Sequence, residues 1–102
     1  MKIQNMMTYP NPFNNITHFV FDHNHPGETL KASITIYNTA GYLVRNIEQS
    51  FVATGSRSSD ISWDGTTNYG IQVQGGVYLC RIKIATEKGI EDMTYQKVVF
   101  IR

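Results

Sequence analysis

The chain has 102 residues, with nine Lys plus Arg against eight Asp plus Glu and a net charge of +1. This length suits one domain with a single core, and the near-neutral charge argues against nucleic acid or an anionic membrane surface as the main partner. Val, Ile and Thr together number 28 whereas Leu and Ala number seven, so the composition predicts an all-β domain and excludes a helical bundle, a doubly wound nucleotide-binding domain and a disordered tail.

The N-terminal part of the chain reads as a linker followed by a proline-rich segment. Residues 1–8 contain one basic residue and no apolar core, so they are expected to be a linker and not a secretory signal peptide. Residues 9–14 carry two prolines around an asparagine, which predicts an ordered, extended segment outside any central strand. The domain itself is expected over residues 9–102.

Seven short strands are predicted from the alternation of apolar and polar residues between turns rich in Gly and Asn. Gly41 lies in a predicted hairpin turn, where a positive φ is needed, and a glycine-rich loop is expected over residues 66–76. The spacing of the strands, without a helical segment, predicts an Ig-like antiparallel β-sandwich of about seven strands. The predicted strands are residues 17–21, 32–37, 42–47, 50–53, 61–63, 77–86 and 93–101.

Strand parity predicts one core between two sheets, because alternate residues of a strand share a face. Cys80 has the parity of the apolar face and is the only cysteine. It therefore cannot form a disulfide within the domain, and as a buried thiol it is expected to be a poor nucleophile. The predicted core residues are Ala32, Ile34, Ile36, Trp63, Tyr78, Cys80, Ile82 and Ile84.

Clusters of possible metal ligands occur twice in the sequence, and neither predicts a metal site. His23 and His25 share a face of an extended segment, but a zinc site normally needs three or four protein ligands. Asp60, Asp64 and Asn68 lie four residues apart, which is wider than the ligand spacing of a calcium loop. The sequence also lacks paired carboxylates and a nucleophile elbow. The expectation is therefore a non-catalytic domain with no metal and no cofactor.

Five short motifs succeed one another along the chain. They are Tyr9-Pro10-Asn11-Pro12-Phe13-Asn14, Ile36-Tyr37-Asn38 with Gly41, Trp63-Asp64-Gly65 with Gly70, Gly76-Val77-Tyr78, and Lys97-Val98-Val99. This series resembles the C-terminal sorting domain of the bacterial type IX secretion system, and the resemblance covers residues 9–102. The middle motifs also occur in the Ig-like domain of the flagellar hook-capping protein, and the first and last motifs make the resemblance to the sorting domain more specific.

This resemblance implies a non-catalytic secretion and sorting signal at the C-terminus of a larger exported protein. The cargo would cross the periplasm and reach the outer membrane or cell surface. The implied partners are an outer-membrane translocon, a shuttle β-barrel and a sortase. That sortase, a cysteine peptidase, carries such a domain itself and is one candidate for the parent protein. The implied signal residues are Pro10, Pro12, Gly41, Gly76, Tyr78, Lys97, Val98 and Val99.

An alternative from another functional class is a structural or accessory Ig-like module, such as a hook-capping domain or a carbohydrate-binding appendage. A carbohydrate binder would expose an aromatic platform. If residues 97–101 lie at a sheet edge, their unpaired N–H and C=O groups can template a partner strand. The C-terminal strand and its neighbouring edge are therefore expected to contribute the contact with the secretion machinery. The domain is expected to be a monomer within its parent, and a strand-swapped or edge-paired dimer is the alternative for the isolated domain.

Overall fold

The computed structural model describes residues 2–58 and 60–102. In these two ranges the chain forms strands and no helix, and so it contains no helix that could span a membrane. The strands are β1 (Gln4–Tyr9), β2 (Thr17–Asp22), β3 (Thr29–Tyr37), β4 (Leu43–Val52), β5 (Ile61–Trp63), β6 (Gly76–Thr86) and β7 (Glu91–Phe100).

The strands form two antiparallel sheets, one of three strands in the order β1-β2-β5 and one of four strands in the order β4-β3-β6-β7. All paired strands are antiparallel. The sheets pack face to face, which is the arrangement of a β-sandwich. The predicted all-β, Ig-like fold is confirmed.

The structure has seven strands, as predicted, but two of them differ from the prediction: β1 was not predicted, and β4 was predicted as two strands. Residues 4–8, predicted as part of a linker, belong to β1 and pair with β2. The ladder has an irregularity between Gln4 and Met7, and Asn5 has a φ of 53°. Such an irregularity interrupts the alternation of side chains, and the segment contains only one β-branched residue, Thr8. Because of these two properties, the sequence of β1 does not show the alternation of apolar and polar residues by which the other strands were predicted.

The predicted strands 42–47 and 50–53 are one continuous strand, β4. Glu48 and Ser50 are exposed on its outer face, whereas Ile47, Gln49 and Phe51 alternate with them and are half-buried or buried. A polar pair therefore does not interrupt the strand, since antiparallel sheets commonly leave one face in water.

The core lies between the two sheets and contains every residue predicted for it. All eight are at most 6% exposed. The three-stranded sheet adds the inward face of β2, where Phe19 and Phe21 are fully buried, and β7 adds Val98 and Phe100. The alternation of buried and exposed residues in β3 and β6 is regular along both strands, which is why parity located the core correctly.

Candidate functional site

The eight predicted signal residues lie at one end of the sandwich, here called the motif end. It is formed by residues 9–14, 38–42, 64–78 and 97–102. The strand registers place these segments together, since Tyr37 pairs with Leu79, Leu79 with Lys97 and Gly76 with Phe100, and the sheets join through ring contacts of Phe13 with Phe100 and Trp63 with Tyr78. The fold thus brings the predicted motifs into one region.

The proline-rich segment is bound along the outer edge of β7. The Asn11 side chain donates to the Lys97 carbonyl oxygen at 2.8 Å and accepts from the Val99 N–H at 2.9 Å. Phe13 donates its N–H to the Val99 carbonyl at 2.9 Å and accepts from the Ile101 N–H at 2.8 Å. We call these four hydrogen bonds the terminal clamp.

The terminal clamp corrects one prediction about the last strand. β7 is an edge strand, as predicted. The prediction that residues 97–101 leave their edge groups unpaired is wrong, because the clamp occupies the Lys97 carbonyl, both groups of Val99 and the Ile101 N–H. A partner strand therefore cannot pair with this part of β7 without displacing the segment. The oligomeric state of the isolated domain stays a prediction.

Phe13 anchors the proline-rich segment in the core. Its side chain is 2% exposed, and its ring centroid lies 5.0 Å from that of Phe100 and 5.4 Å from that of Trp63. The peptide bonds before Pro10 and Pro12 are both cis. The prolines were predicted as signal residues, but Asn11 and Phe13 are the residues that bind β7. This role of Asn11 and Phe13 was not predicted from the sequence. The only signal for them was the aromatic residue directly after the second proline.

The Trp63-Asp64-Gly65 motif forms a structural turn. The Trp63 indole donates to the Thr66 carbonyl at 2.9 Å. The Asp64 carboxylate accepts from the hydroxyl and the N–H of Thr66, and this hydroxyl hydrogen bond is the main cause that lowers the pKa of Asp64. Gly65 has a φ of +77° and lies against the Phe100 ring. Each residue of the motif is accounted for by packing or turn geometry.

Tyr78 of the Gly76-Val77-Tyr78 motif also belongs to the core. Its ring packs edge-on against Trp63 with centroids 5.5 Å apart. Its hydroxyl donates to the Gln74 carbonyl, and burial raises its pKa. Tyr78 therefore holds the 73–77 loop against the sandwich.

A cleft of about 410 Å³ separates the β3–β4 hairpin from the 73–77 loop. The backbone N–H and C=O groups of Val99 point away from β6, toward the proline-rich segment. Val77 lies opposite Val99, so its N–H and C=O groups point away from β7 and toward β3. β3 ends at Tyr37, opposite Leu79, and leaves Val77 without a strand partner on that side. The cleft is lined by Asn38, Thr39, Ala40, Leu43, Val44, Thr67, Val73, Gln74, Gly75, Gly76, Val77 and Tyr78.

Six of the eight predicted signal residues are accessible to a partner and two are not. Tyr78 is 6% exposed and Val98 is fully buried, so they act through the fold. Gly41 has a φ of +86° in the β3–β4 turn, as predicted. The accessible residues are Pro12, Gly41, Gly76 and Lys97, which are exposed, and Pro10 and Val99, which are half-buried.

The three histidines are held apart by different partners. His23 is 5% exposed, its ring lies near those of Phe21 and Phe51, and its Nδ1 accepts from the His25 N–H. His25 pairs with Glu28. His18, in β2, has its Nδ1 2.8 Å from the carboxylate of Asp60, which directly precedes β5. Within residues 2–58 and 60–102 no group of three His, Cys, Asp or Glu could hold a metal.

Because His23 is buried, we expect the folded domain to be less stable in mild acid. Burial, followed by the charge of His25, lowers its pKa. The unfolded chain then binds a proton that the folded chain rejects. Stability is therefore full above about pH 6.5 and falls as the pH drops below that value, and the loss is complete once the pH is below the folded-state pKa. We expect the melting temperature to decrease from pH 8 to pH 5, and His23→Phe to flatten this dependence while His18→Gln keeps it. An unchanged slope in His23→Phe would contradict the assignment.

Cys80 is fully buried, and burial raises its pKa to about 12. Because the thiolate is the reactive form, we expect a thiol reagent to label Cys80 slowly in buffer and rapidly in denaturing urea. The time course of labelling followed by mass spectrometry measures this difference. Rapid labelling of the folded domain would show that the sheets open around β6.

Comparison with solved structures gives matches to domains of the same fold, of which three are described. A chain of dimeric latent PorU from Porphyromonas gingivalis matches 94% of this chain with 27% identity and a TM-score of 0.80, and this chain spans only 9% of it. CopC from Methylosinus trichosporium OB3b matches 97% of this chain and 93% of its own with 12% identity and a TM-score of 0.60. The PmoD soluble domain from Methylocystis sp. ATCC 49242 (Rockwell) matches 89% and 76%, with 13% identity and a TM-score of 0.51.

The similarities to CopC and PmoD establish the fold alone, since their identities are low. No curated protein matches the chain. The family profile of the FlgD Ig-like domain matches residues 13–88, which are 76 of the 102 residues. The chain belongs to the FlgD Ig-like domain family.

Proposed function

We propose that the chain is a C-terminal sorting domain that directs a larger exported protein through the type IX secretion system to the outer membrane or cell surface. The observation that carries the proposal is the terminal clamp, which joins the first and last predicted signal motifs into one region of the folded domain. The likeness to PorU, a type IX secretion system protein, supports it.

The extent of the two matches favours a sorting domain over a general Ig-like module. The FlgD Ig-like profile covers residues 13–88 and leaves out Pro10, Pro12 and residues 97–99, whose motifs are the more specific to sorting domains. The match to PorU covers 94% of the chain. The residues outside the profile are therefore the ones that distinguish the proposed sorting domain from a general Ig-like module.

In this proposal the domain is recognised and does no chemistry itself. The family that it belongs to is an Ig-like domain, and the core and turn contacts account for Cys80 and Asp64. A translocon, a shuttle β-barrel and a sortase contact the motif end through its accessible residues. Tyr78 and Val98 are buried in the core beneath that surface and stabilise its conformation. The parent protein, which extends beyond this domain, supplies any catalytic activity.

A reporter fusion tests the proposal. The chain is joined to the C-terminus of a periplasmically exported fluorescent protein and produced in a bacterium with a type IX secretion system. We expect the reporter at the cell surface or in the medium, and in the periplasm of a strain without the translocon. Retention of the reporter in the periplasm of both strains would refute the proposal.

A variant of the fusion tests whether the secretion machinery contacts the terminal strand directly. Lys97→Glu is combined with a short polar extension after Arg102, since neither change removes an apolar side chain from the core. We expect an unchanged melting temperature and accumulation of the reporter in the periplasm. Normal secretion of this folded variant would place the recognised surface elsewhere on the domain.

The accessory-module alternative is favoured by one observation, the exposed Tyr9. Its side chain is 70% exposed and borders a shallow hollow with His18 and Asp60, and an aromatic ring beside hydrogen-bonding groups suits a sugar. Loss of polysaccharide binding in Tyr9→Ala, with no effect on the fusion's secretion, would support this second function.

A further inference from the structure

The outer face of the four-stranded sheet differs between its two ends. Far from the motif end its charges are paired, with Lys83 Nζ 3.3 Å from Glu91 Oε2 and Lys31 Nζ 3.7 Å from Glu48 Oε2. Each of these cations thus has an acidic neighbour on the same face. Met93 and Val52 are also exposed in this half, by 47% and 63%, but Met93 lies opposite the paired Lys83. The two halves therefore differ in whether their charges are paired.

Near the motif end the same face is apolar. Val77, Leu79 and Tyr95 are 41%, 45% and 52% exposed. Val77 lies opposite the half-buried Val99, and Leu79 lies opposite the half-buried Tyr37. Cross-strand neighbours on one face have Cβ atoms about 5 Å apart, so these side chains form one continuous patch. A contiguous exposed apolar patch marks an interaction surface.

Two cations border this patch and have no acidic partner among residues 2–58 and 60–102. Arg81 lies opposite Tyr95, and Lys97 lies opposite Leu79. Neither forms an ion pair with a described carboxylate, unlike Lys31 and Lys83. The face therefore combines unsatisfied positive charge with exposed apolar area. We call Val77, Leu79, Arg81, Tyr95, Lys97 and Val99 the basic-apolar face.

We propose that the basic-apolar face binds an extended protein segment that carries apolar side chains and carboxylates on the same side, at alternate positions of its sequence. Apolar side chains of such a segment cover the patch, and its carboxylates reach Arg81 and Lys97. Complementary charge at the border of an apolar contact fixes orientation and partner choice. Nucleic acid fits poorly, because two cations beside apolar residues do not follow a phosphate backbone. The inference concerns binding and does not depend on the sorting function.

The probe is a blocked peptide of roughly eight residues, which spans about 26 Å when extended. Its odd positions carry valine or leucine and glutamate, which therefore lie on one side, and its even positions carry serine. Its counterpart carries lysine in place of glutamate. Binding is followed by amide chemical shifts of the ¹⁵N-labelled chain. We expect the acidic peptide to shift the amides of Val77, Leu79, Tyr95 and Val99, with weaker binding at higher salt. The lysine peptide is expected to leave them unchanged.

Charge reversal makes the test specific. Arg81→Glu with Lys97→Glu is expected to weaken binding of the acidic peptide by about tenfold or more and to permit binding of the lysine peptide. The matched control is Lys2→Glu with Lys88→Glu, which makes the same change in net charge on two other exposed lysines and is expected to keep the original preference. If the reversed domain fails to fold, Arg81→Gln with Lys97→Gln replaces it, with weaker binding expected.

Three results would overturn the proposal. The first is the absence of localised shifts with the acidic peptide. The second is equal loss of binding in the reversed and control variants, since that would reflect net charge alone. The third is binding to vesicles of phosphatidylglycerol through the same amides without binding of the peptide, which would make the face a membrane-contact surface.

Discussion

Replacement of Trp63 by alanine is expected to lower the free energy of unfolding by about 3–5 kcal/mol. Trp63 is 1% exposed and packs against both Phe13 and Tyr78. The substitution removes the largest side chain between the sheets at the motif end and leaves a cavity that its neighbours can fill only in part.

Urea denaturation followed by circular dichroism measures this loss, and Tyr69→Ala is the control. Tyr69 is an aromatic side chain that is 89% exposed, so its removal is expected to change stability by less than about 0.5 kcal/mol. A cost for Trp63→Ala as small as that of the control would mean that Trp63 does not join the two sheets.

Substitution of Gly65 by alanine is expected to cost more than the same substitution of Gly70. Both glycines have nearly the same backbone conformation, with φ of +77° and +78°, and a side chain there costs about 1–2 kcal/mol. At Gly65 the added Cβ would also lie 3.0 Å from the Phe100 ring, whereas at Gly70 it would meet nothing within 4 Å. The clash adds about 1–3 kcal/mol.

The comparison of the two alanine variants separates strain from crowding. The difference between their unfolding free energies in urea measures the contact with Phe100 alone. Equal costs would show that the Phe100 ring moves away freely and that Gly65 is needed only for its backbone conformation.

The middle motifs are therefore explained by the fold itself. Trp63, Gly65 and Tyr78 fill the core or permit a turn, which accounts for their presence in the matched range of a family of Ig-like domains. They are poor evidence for a particular partner. The accessible Lys97 and Pro12 lie outside that range, and no packing requirement accounts for Lys97.

The core could be predicted from sequence because it depends on local alternation. The faces of β3 and β6 follow from side-chain parity alone, and Ile34 and Ile82 are buried as expected. The pairing of β1 could not be predicted, because its alternation is interrupted near Asn5. The continuity of β4 was missed since polar residues on its outer face resemble a turn.

The contacts of the motif end could not be predicted because they join distant parts of the sequence. Asn11 bonds to Lys97 and Val99 across 86 and 88 positions. Nothing in the local pattern around either residue encodes such a pair. The sequence motifs did include both segments that the clamp joins, the first through Pro10 and Pro12 and the last through Lys97. They did not indicate that the two segments are in contact.

The terminal clamp also depends on both ends of the domain being present and folded. Its hydrogen bonds join residues 86 and 88 positions apart, so they require the rest of the sandwich to hold the first and last segments together. A chain that is truncated or still partly unfolded lacks this region even when its hairpins are in place. A receptor that binds the motif end would therefore select finished molecules and leave incomplete ones behind.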